Sequence, residues 1–444
     1  METAQILQLS VGLLLAIAVF VLASGLKATY AIGLVLLLIP FQLVETQYGS
    51  TNVAITYVLA AALLINGRLR IPILESLALI VFAYLASVSQ TDPSTYVSHA
   101  TYIFQFVSGL VVFVLAYNFA RDVKQPISIV NVLIAMNVLV ILYCLIQLWV
   151  GPGGQFVPFG IEELATQRNR GEGDERLIGP FGNPSVTSEY LVLMTLLFCF
   201  ELIHWTGGRR RLLVLLAAAN LTLLIATGNR GGFLVLVFAF PLFLYGFRRE
   251  LGTGRVIQLV LGGLILLAMA SYVTLTYTSF GRLFERLANV TETVGGIPAT
   301  RSEPWPIAVE KIRQHPWFGE GPRFVGTEHV ESGDALAEEN PYPHDLYLFL
   351  LRTVGIVGTV AVLAFFIRVW VKVHRAASAA PPGSYRGGLL RIGSLLFLCF
   401  VIDQIKIEFP RNDTIDYVHF VFAMFGVFLG IADRPNDGSP VVTA

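Results

Sequence analysis

The sequence predicts an all-α fold, a polytopic membrane bundle of about 12 to 13 transmembrane helices. Three observations lead there. Of 444 residues, 55% are hydrophobic and 14% charged, and the mean hydropathy of +0.69 lies well above that of an ordinary soluble domain. Apolar runs long enough to cross a hydrocarbon layer ~30 Å thick recur from end to end. The runs are continuous, without the polar residue at every second position that a membrane barrel strand requires.

Taken in order, the runs fall at 5–25, 28–45, 52–66, 71–90, 101–119, 126–150, 186–206, 211–227, 231–247, 256–277, 345–371, 389–405 and 415–431. The leader of the first run, METAQ, carries an acid and no base, so a retained first helix is expected and not a cleaved signal peptide. Five segments follow: N-terminal transmembrane helices over 1–150, helices with two short polar motifs over 151–277, a large polar loop over 278–344, C-terminal helices over 345–431, and a tail over 432–444.

Charge places these segments relative to the membrane. Formal net charge is zero, which argues against a nucleic-acid partner. Lys and Arg collect in alternate connections: Lys27, Arg68 and Arg70, Arg121 and Lys124, Arg209 to Arg211, Arg248, Arg249 and Arg255, then Arg368, Lys372, Arg375, Arg386 and Arg391. By the positive-inside rule that set is cytoplasmic. The opposite set holds the loop 151–185, the turn at Asn229-Arg230, the segment 278–344 and the connection around 406–414. Cys144, Cys199 and Cys399 lie inside apolar runs without motif spacing and read as small core residues.

Function is expected in the long loop and the turns beside it, where basic residues stand on the outward side against the trend. His344, between Pro343 and Asp345, opens the helix after the loop. It is either an interfacial or cap-adjacent histidine or a proton-transferring group facing a cavity. No HxxxH or similar spacing supports a metal site. Arg230 lies in TGNRGG, where glycines permit close approach and the following helix start offers free N–H groups to an anion. It either snorkels to headgroups or grips a phosphate with two hydrogen bonds.

Arg176 lies in ERLIGPFGNPS, a Gly/Pro-rich approach to the next span that either merely turns and caps or carries function. There Asn183 and Ser188 either cap the helix or contact a sugar. Arg301 precedes SEPWPIAVEKIRQHP, read as a short amphipathic helix with Ser302 as cap, Pro304 in the first turn and Pro316 at the close. Trp305, Ala308, Val309 and Ile312 share one face of that helix. Arg301 either binds an anion or pairs with Glu303 or a headgroup. Several fixed positive charges and one titratable base suit a pyrophosphate and a reaction at the sugar carbon attached to it.

The order RLIGPFGNPSVTSEYLV, TGNRGGFLVLV, TRSEPWPIAVEKIRQHPWFGEGPRF and PHDLYLFLLRTVGIVG, spread over residues 176–358, resembles the bacterial O-antigen ligase/polymerase superfamily. The resemblance implies a glycosyltransferase-C type helical fold, usually of twelve spans, with a large periplasmic loop. It implies an enzyme of the inner membrane that transfers a glycan from undecaprenyl diphosphate, at the periplasmic face, without metal or other cofactor. The acceptor is the lipid A core for a ligase or another lipid-linked glycan for a polymerase. His344 matches the histidine proposed as general base; Arg230, Arg301 and Arg176 match arginines thought to hold the diphosphate.

The chain departs from the family pattern in places. Asn229 stands where serine usually precedes the turn arginine. Asp345 stands where asparagine usually follows the histidine, and either raises the basicity of His344 or holds its ring. Arg352 stands where an acid is common before the Gly-x-x-Gly turn, and the count of thirteen runs leaves the N-terminus outside, against the family's habit. The expectation is an inverting, metal-independent transferase, ligase in type. A flippase or transporter of the same lipid-linked sugars is the rival, and it predicts broken spans or repeat symmetry around a midplane site.

Overall fold

The computed structural model describes residues 28–41, 45–46, 49–91, 93–150, 176–277, 293–294, 297–298, 302, 304–322, 342–407, 409–410 and 415–434. The described chain is helical apart from two antiparallel pairings of two residues each, Glu45–Thr46 with Gly49–Ser50 and Thr293–Val294 with Ile297–Pro298. The helices are α1 (Ala28–Leu38), α2 (Thr51–Ile65), α3 (Leu74–Val88), α4 (Tyr96–Asp122), α5 (Pro126–Val150), α6 (Pro184–His204) and α7 (Gly207–Ala226). They continue with α8 (Arg230–Gly246), α9 (Arg248–Tyr277), α10 (Pro304–Gln314), α11 (Leu346–Ala379), α12 (Tyr385–Asp403) and α13 (Ile415–Ala432).

Each apolar run from 28–45 onward corresponds to a helix; the run 5–25 lies outside the described residues. Length refines the expected count of spans. Among the described residues six helices, α4, α5, α6, α11, α12 and α13, are long and apolar enough to cross a membrane, or up to seven if a bent pair is one span. That pair is Arg230–Gly246 with Arg248–Gly254, bent by 98°. The helices α1, α2 and α3 are apolar but shorter, and α7 opens on Arg209, Arg210 and Arg211, which shortens its apolar stretch.

Helix ends sort into two groups, as the alternation of charge predicts. At one end Arg368 pairs with Glu75 at 3.2 Å, Arg209 with Glu201 at 3.4 Å, and Arg434 donates to the Lys124 carbonyl at 2.8 Å. At the other end Asn52 donates to Asp416, the Gly179 N–H donates to Gln147, and His99 lies 3.0 Å from the Pro322 carbonyl. Arg176, Arg230, His344 and Lys406 belong to this second end.

The bundle is built around α13. Almost all of it is buried, and Gly426 and Gly430 bring it against α4 so closely that a Cβ would stand 2.2 Å from the Phe113 carbonyl oxygen and 2.4 Å from that of Tyr117. Small residues one turn apart are the usual means by which membrane helices bring backbones together, where dispersion and not water exclusion drives association. Around this axis Phe366, Phe397, Phe400, Phe409 and Phe425 pack ring against ring.

One bend places the long loop's end. Within α11, Gly355 has φ 63° and ψ −168°, outside helical geometry. A straight helix would hold Tyr347 and Phe366 about 28 Å apart. Instead Tyr347 Oη donates to the Val401 carbonyl at 2.9 Å, and the Phe366 ring lies 5.8 Å from that of Phe400, the residue before. The first turns of α11 therefore fold back over the end of α12, delivering His344 beside the turn that follows Asp403.

Candidate functional site

His344 has φ 53°, the left-handed region, which costs a residue with a Cβ roughly 1–2 kcal/mol. The neighbours on both sides hold it there. Before it, the Pro343 carbonyl accepts a hydrogen bond from Trp305 Nε1 at 3.0 Å. After it, Asp345 caps α11, its Oδ1 accepting the Leu348 N–H at 3.0 Å, and the Leu346 N–H donates to the Gln404 carbonyl at 2.9 Å. His344 is thus the residue before the cap, half-buried, with its backbone fixed by three elements. Strain maintained in this way is characteristic of functional positions.

The turn between α7 and α8 carries Arg230 as the first residue of α8. Asn229 caps that helix: its Oδ1 accepts the Gly232 N–H at 2.8 Å, and its Nδ2 donates to Ser185 Oγ at 2.6 Å. Arg176 lies across this turn, its side-chain carbons 3.4 Å from where a Cβ on Gly228 would be, and the Leu177 N–H donates to the Ala226 carbonyl at 3.1 Å. Asn183 caps α6, accepting from the Ser185 and Val186 N–H groups at 2.9 and 3.4 Å. The starts of α6 and α8 are therefore one structure, joined through Ser185, with Arg176 lying against the turn that leads into Arg230.

The connection after α12 links this turn to His344. Gln404, fully buried, donates through Nε2 to both carboxylate oxygens of Glu189 at 3.0 and 3.1 Å and accepts the Phe409 N–H through Oε1 at 3.0 Å. Two residues on, Lys406 Nζ lies 2.8 Å from Asp403 Oδ1 and donates to Asn229 Oδ1 at 3.2 Å. The lysine stem lies so close over Gly231 that a Cβ there would meet its Cδ at 2.2 Å. A side chain at 231 would have to push the flexible end of Lys406 aside. Glu189 and Asp403 are 2% and 1% exposed, buried acids set beside a cation and an amide donor.

Three of the expected residues, Arg176, Arg230 and His344, stand at one end of the bundle, Arg176 against the turn before Arg230 and His344 two residues before the Leu346 N–H bonded to Gln404. Arg301 lies outside the described residues. The helix after it begins at Pro304, two residues beyond Ser302, and its buried face differs from the expected one. Pro304 and Ala308 are buried, while Val309 is 38% exposed. The departure at Arg352 is balanced by opposite charge. Buried Arg352 donates through Nε to Glu320 Oε1 at 2.5 Å, and Lys311 lies 3.7 Å from the other oxygen. With the Ile356 N–H to Pro316 and Glu320 N–H to Arg352 carbonyl bonds, both 2.9 Å, this pair fastens the tail of α10 to the bend of α11.

Sequence reasoning missed Glu189, Gln404 and Lys406. A carboxylate inside an apolar span marks a functional neighbourhood by default, and Glu189, less than two turns after the Asn183 cap, carried that signal. Gln404 and Lys406 gave only the weak one of polar residues at a span's end. Among the described residues no three His, Cys, Asp or Glu side chains form a group able to hold a metal ion. The arrangement brings Arg176 against the turn before α8 and Lys406 onto the Asn229 cap of that helix, and helix starts favour anions; the loop carrying His344 is joined to the same connection through Leu346 and Gln404.

A search of curated proteins returns no match to the chain. Residues 192–363 match the family model described as O-Antigen ligase, a stretch from within α6 past the bend of α11 that contains Arg230 and His344. That match supports the resemblance of this part of the chain to the O-antigen ligase/polymerase superfamily.

Proposed function

We propose that this protein is an inner-membrane glycosyltransferase of the O-antigen ligase type, with its site at the periplasmic face. It moves a glycan from undecaprenyl diphosphate to a hydroxyl of the lipid A core. A ring nitrogen of His344 takes the acceptor's hydroxyl proton as the oxygen bonds to the anomeric carbon. The bond from that carbon to the phosphate oxygen breaks, and the diphosphate leaves with the electron pair. Attack opposite the leaving group inverts the anomeric centre. Arg230, Arg176 and Arg301 stabilise the departing charge, guanidinium groups being suited to two-pronged phosphate contact. Asn183 and Asp345 support the site as helix caps, and fixed cations do the work that a metal ion does in other transferases.

The observation that carries this reading is the linkage of the Arg230 turn to the His344 loop through residues 404–406, inside a chain that matches the O-antigen ligase family. The test is transfer in reconstituted vesicles from a lipid-linked glycan to each of two acceptors, lipid A core and a second lipid-linked glycan. Transfer to the core by the wild type, loss of about 100-fold or more in His344→Ala and a comparable loss in Arg230→Ala support the reading. Undiminished transfer by His344→Ala removes the base. Transfer only to the lipid-linked acceptor makes the protein a polymerase, and glycan crossing the vesicle membrane with no new glycosidic bond makes it a transporter. Loss of activity on chelation, restored by magnesium, removes the metal-independent mechanism.

A further inference from the structure

Resting on the reading above, we propose that the turn Gln404-Ile405-Lys406 is the positioning device of the reaction. One end of it sets the His344 loop, the other sets the Arg230 turn, and the separation between base and diphosphate site is thereby fixed. Neither Gln404, Lys406 nor Glu189 lies within the stretch matched by the family, and none is needed to touch a substrate for this role.

The geometry is that of a short strut with a pinned middle. Toward His344, the Gln404 carbonyl accepts the Leu346 N–H at 2.9 Å, two residues from the strained histidine. Toward the diphosphate turn, the Lys406 ammonium bonds Asn229, whose same oxygen caps α8 at Gly232 and so orients Arg230. Between these ends the strut is held against rotation. The Gln404 amide is shared by the Glu189 carboxylate on α6 and the Phe409 N–H, and Lys406 is anchored by buried Asp403 at 2.8 Å. The contacts to Leu346, Glu189 and Asn229 join elements far apart in sequence, and no apolar packing alone would specify their register. A purely structural polar cluster has no need to place one end on each half of a reacting pair.

The strut predicts that its two ends fail in different ways. Gln404→Leu keeps the volume and removes the amide, so the His344 loop loses its reference. The expected result is a kcat reduced about 10- to 100-fold with the donor KM nearly unchanged, the usual consequence of a small misplacement. Lys406→Met keeps the stem over Gly231 and removes the charge, so the Arg230 turn loosens. The expected result is a donor KM raised about tenfold, with Lys406→Arg recovering most of it. Both are measured in the full-length protein in vesicles, per folded molecule as judged by monodisperse elution and thermal unfolding. Turnover per folded molecule equal to wild type in both variants would overturn the proposal, as would an identical loss of kcat in both with no recovery by Lys406→Arg. His344→Ala in the same assay separates the two levels. If it transfers normally, the underlying reaction assignment fails; if it is inactive while the strut variants are normal, only the positioning role fails.

Discussion

At position 344 the backbone and the side chain make opposite demands. The φ of 53° suits glycine or asparagine, and a residue with a Cβ is held there at a cost of roughly 1–2 kcal/mol. An imidazole retained at that cost implies a use for the ring and not for the fold. His344→Gly is therefore expected to unfold at a temperature equal to or above the wild type, a gain of up to about 1 kcal/mol, while transfer falls ~10²- to 10⁴-fold. Differential scanning fluorimetry beside the transfer assay reads both. A variant that is less stable and still active would show that the histidine serves the loop. The positions of Arg230 and His344 at the starts of spans were legible in the sequence because each is a polar residue with an apolar span on its flank. Gln404 and Lys406 were not, since what distinguishes them is a partner more than 50 residues away, on Leu346, Glu189 or Asn229.

The elements that carry the site are held by charge pairs the sequence pattern could not assign. Arg352 looked like a departure with an unknown effect, yet the structure gives it Glu320, across 32 positions of chain. Both are buried, at 3% and 8% exposed, and removing one member of such a pair leaves the other uncompensated at a cost of about 3–5 kcal/mol. Arg352→Ala is expected to lower the unfolding temperature and to free the tail of α10. Arg352→Glu combined with Glu320→Arg should recover stability relative to either single reversal, measured as a double-mutant cycle. Failure of the double variant to recover would mean that Lys311 and backbone contacts, not the pair, fasten α10. The amphipathic character of α10 was readable from its spacing. Its buried face centres on Pro304 and Ala308, and Trp305 bonds the Pro343 carbonyl, a contact that no periodicity contains.

For the molecule as a whole, hydropathy alone predicted an all-α membrane bundle, and the alternation of basic connections predicted which helix ends lie together. The central place of α13 was hidden, because its apolar run reads like the others and only the spacing of Gly426 and Gly430 hints at an axis. That axis makes a stringent prediction. Gly430→Val would drive side-chain atoms into the Tyr117 carbonyl region, where a Cβ alone would be 2.4 Å from the oxygen. Overpacking against backbone costs upward of ~1–3 kcal/mol, and since α13 also holds Asn52 through Asp416, loss should spread through the bundle. Size-exclusion profiles in mild detergent are expected to show aggregation in place of a sharp peak; a sharp peak with normal transfer would remove α13 from its central role.

The fold-back at Gly355 has a consequence of a different kind, because it makes the chemistry hostage to a single hydrogen atom. A methyl group in its place would sit 2.3 Å from the Trp317 carbonyl carbon, so Gly355→Ala would prise the α10 tail from its seat. Through Trp305 and Pro343 that displacement would arrive at His344, and under the proposed function it would lower transfer while leaving donor binding in place. Retained lipid binding with lost transfer is the signature to seek, and unaltered turnover would mean that the lever has slack.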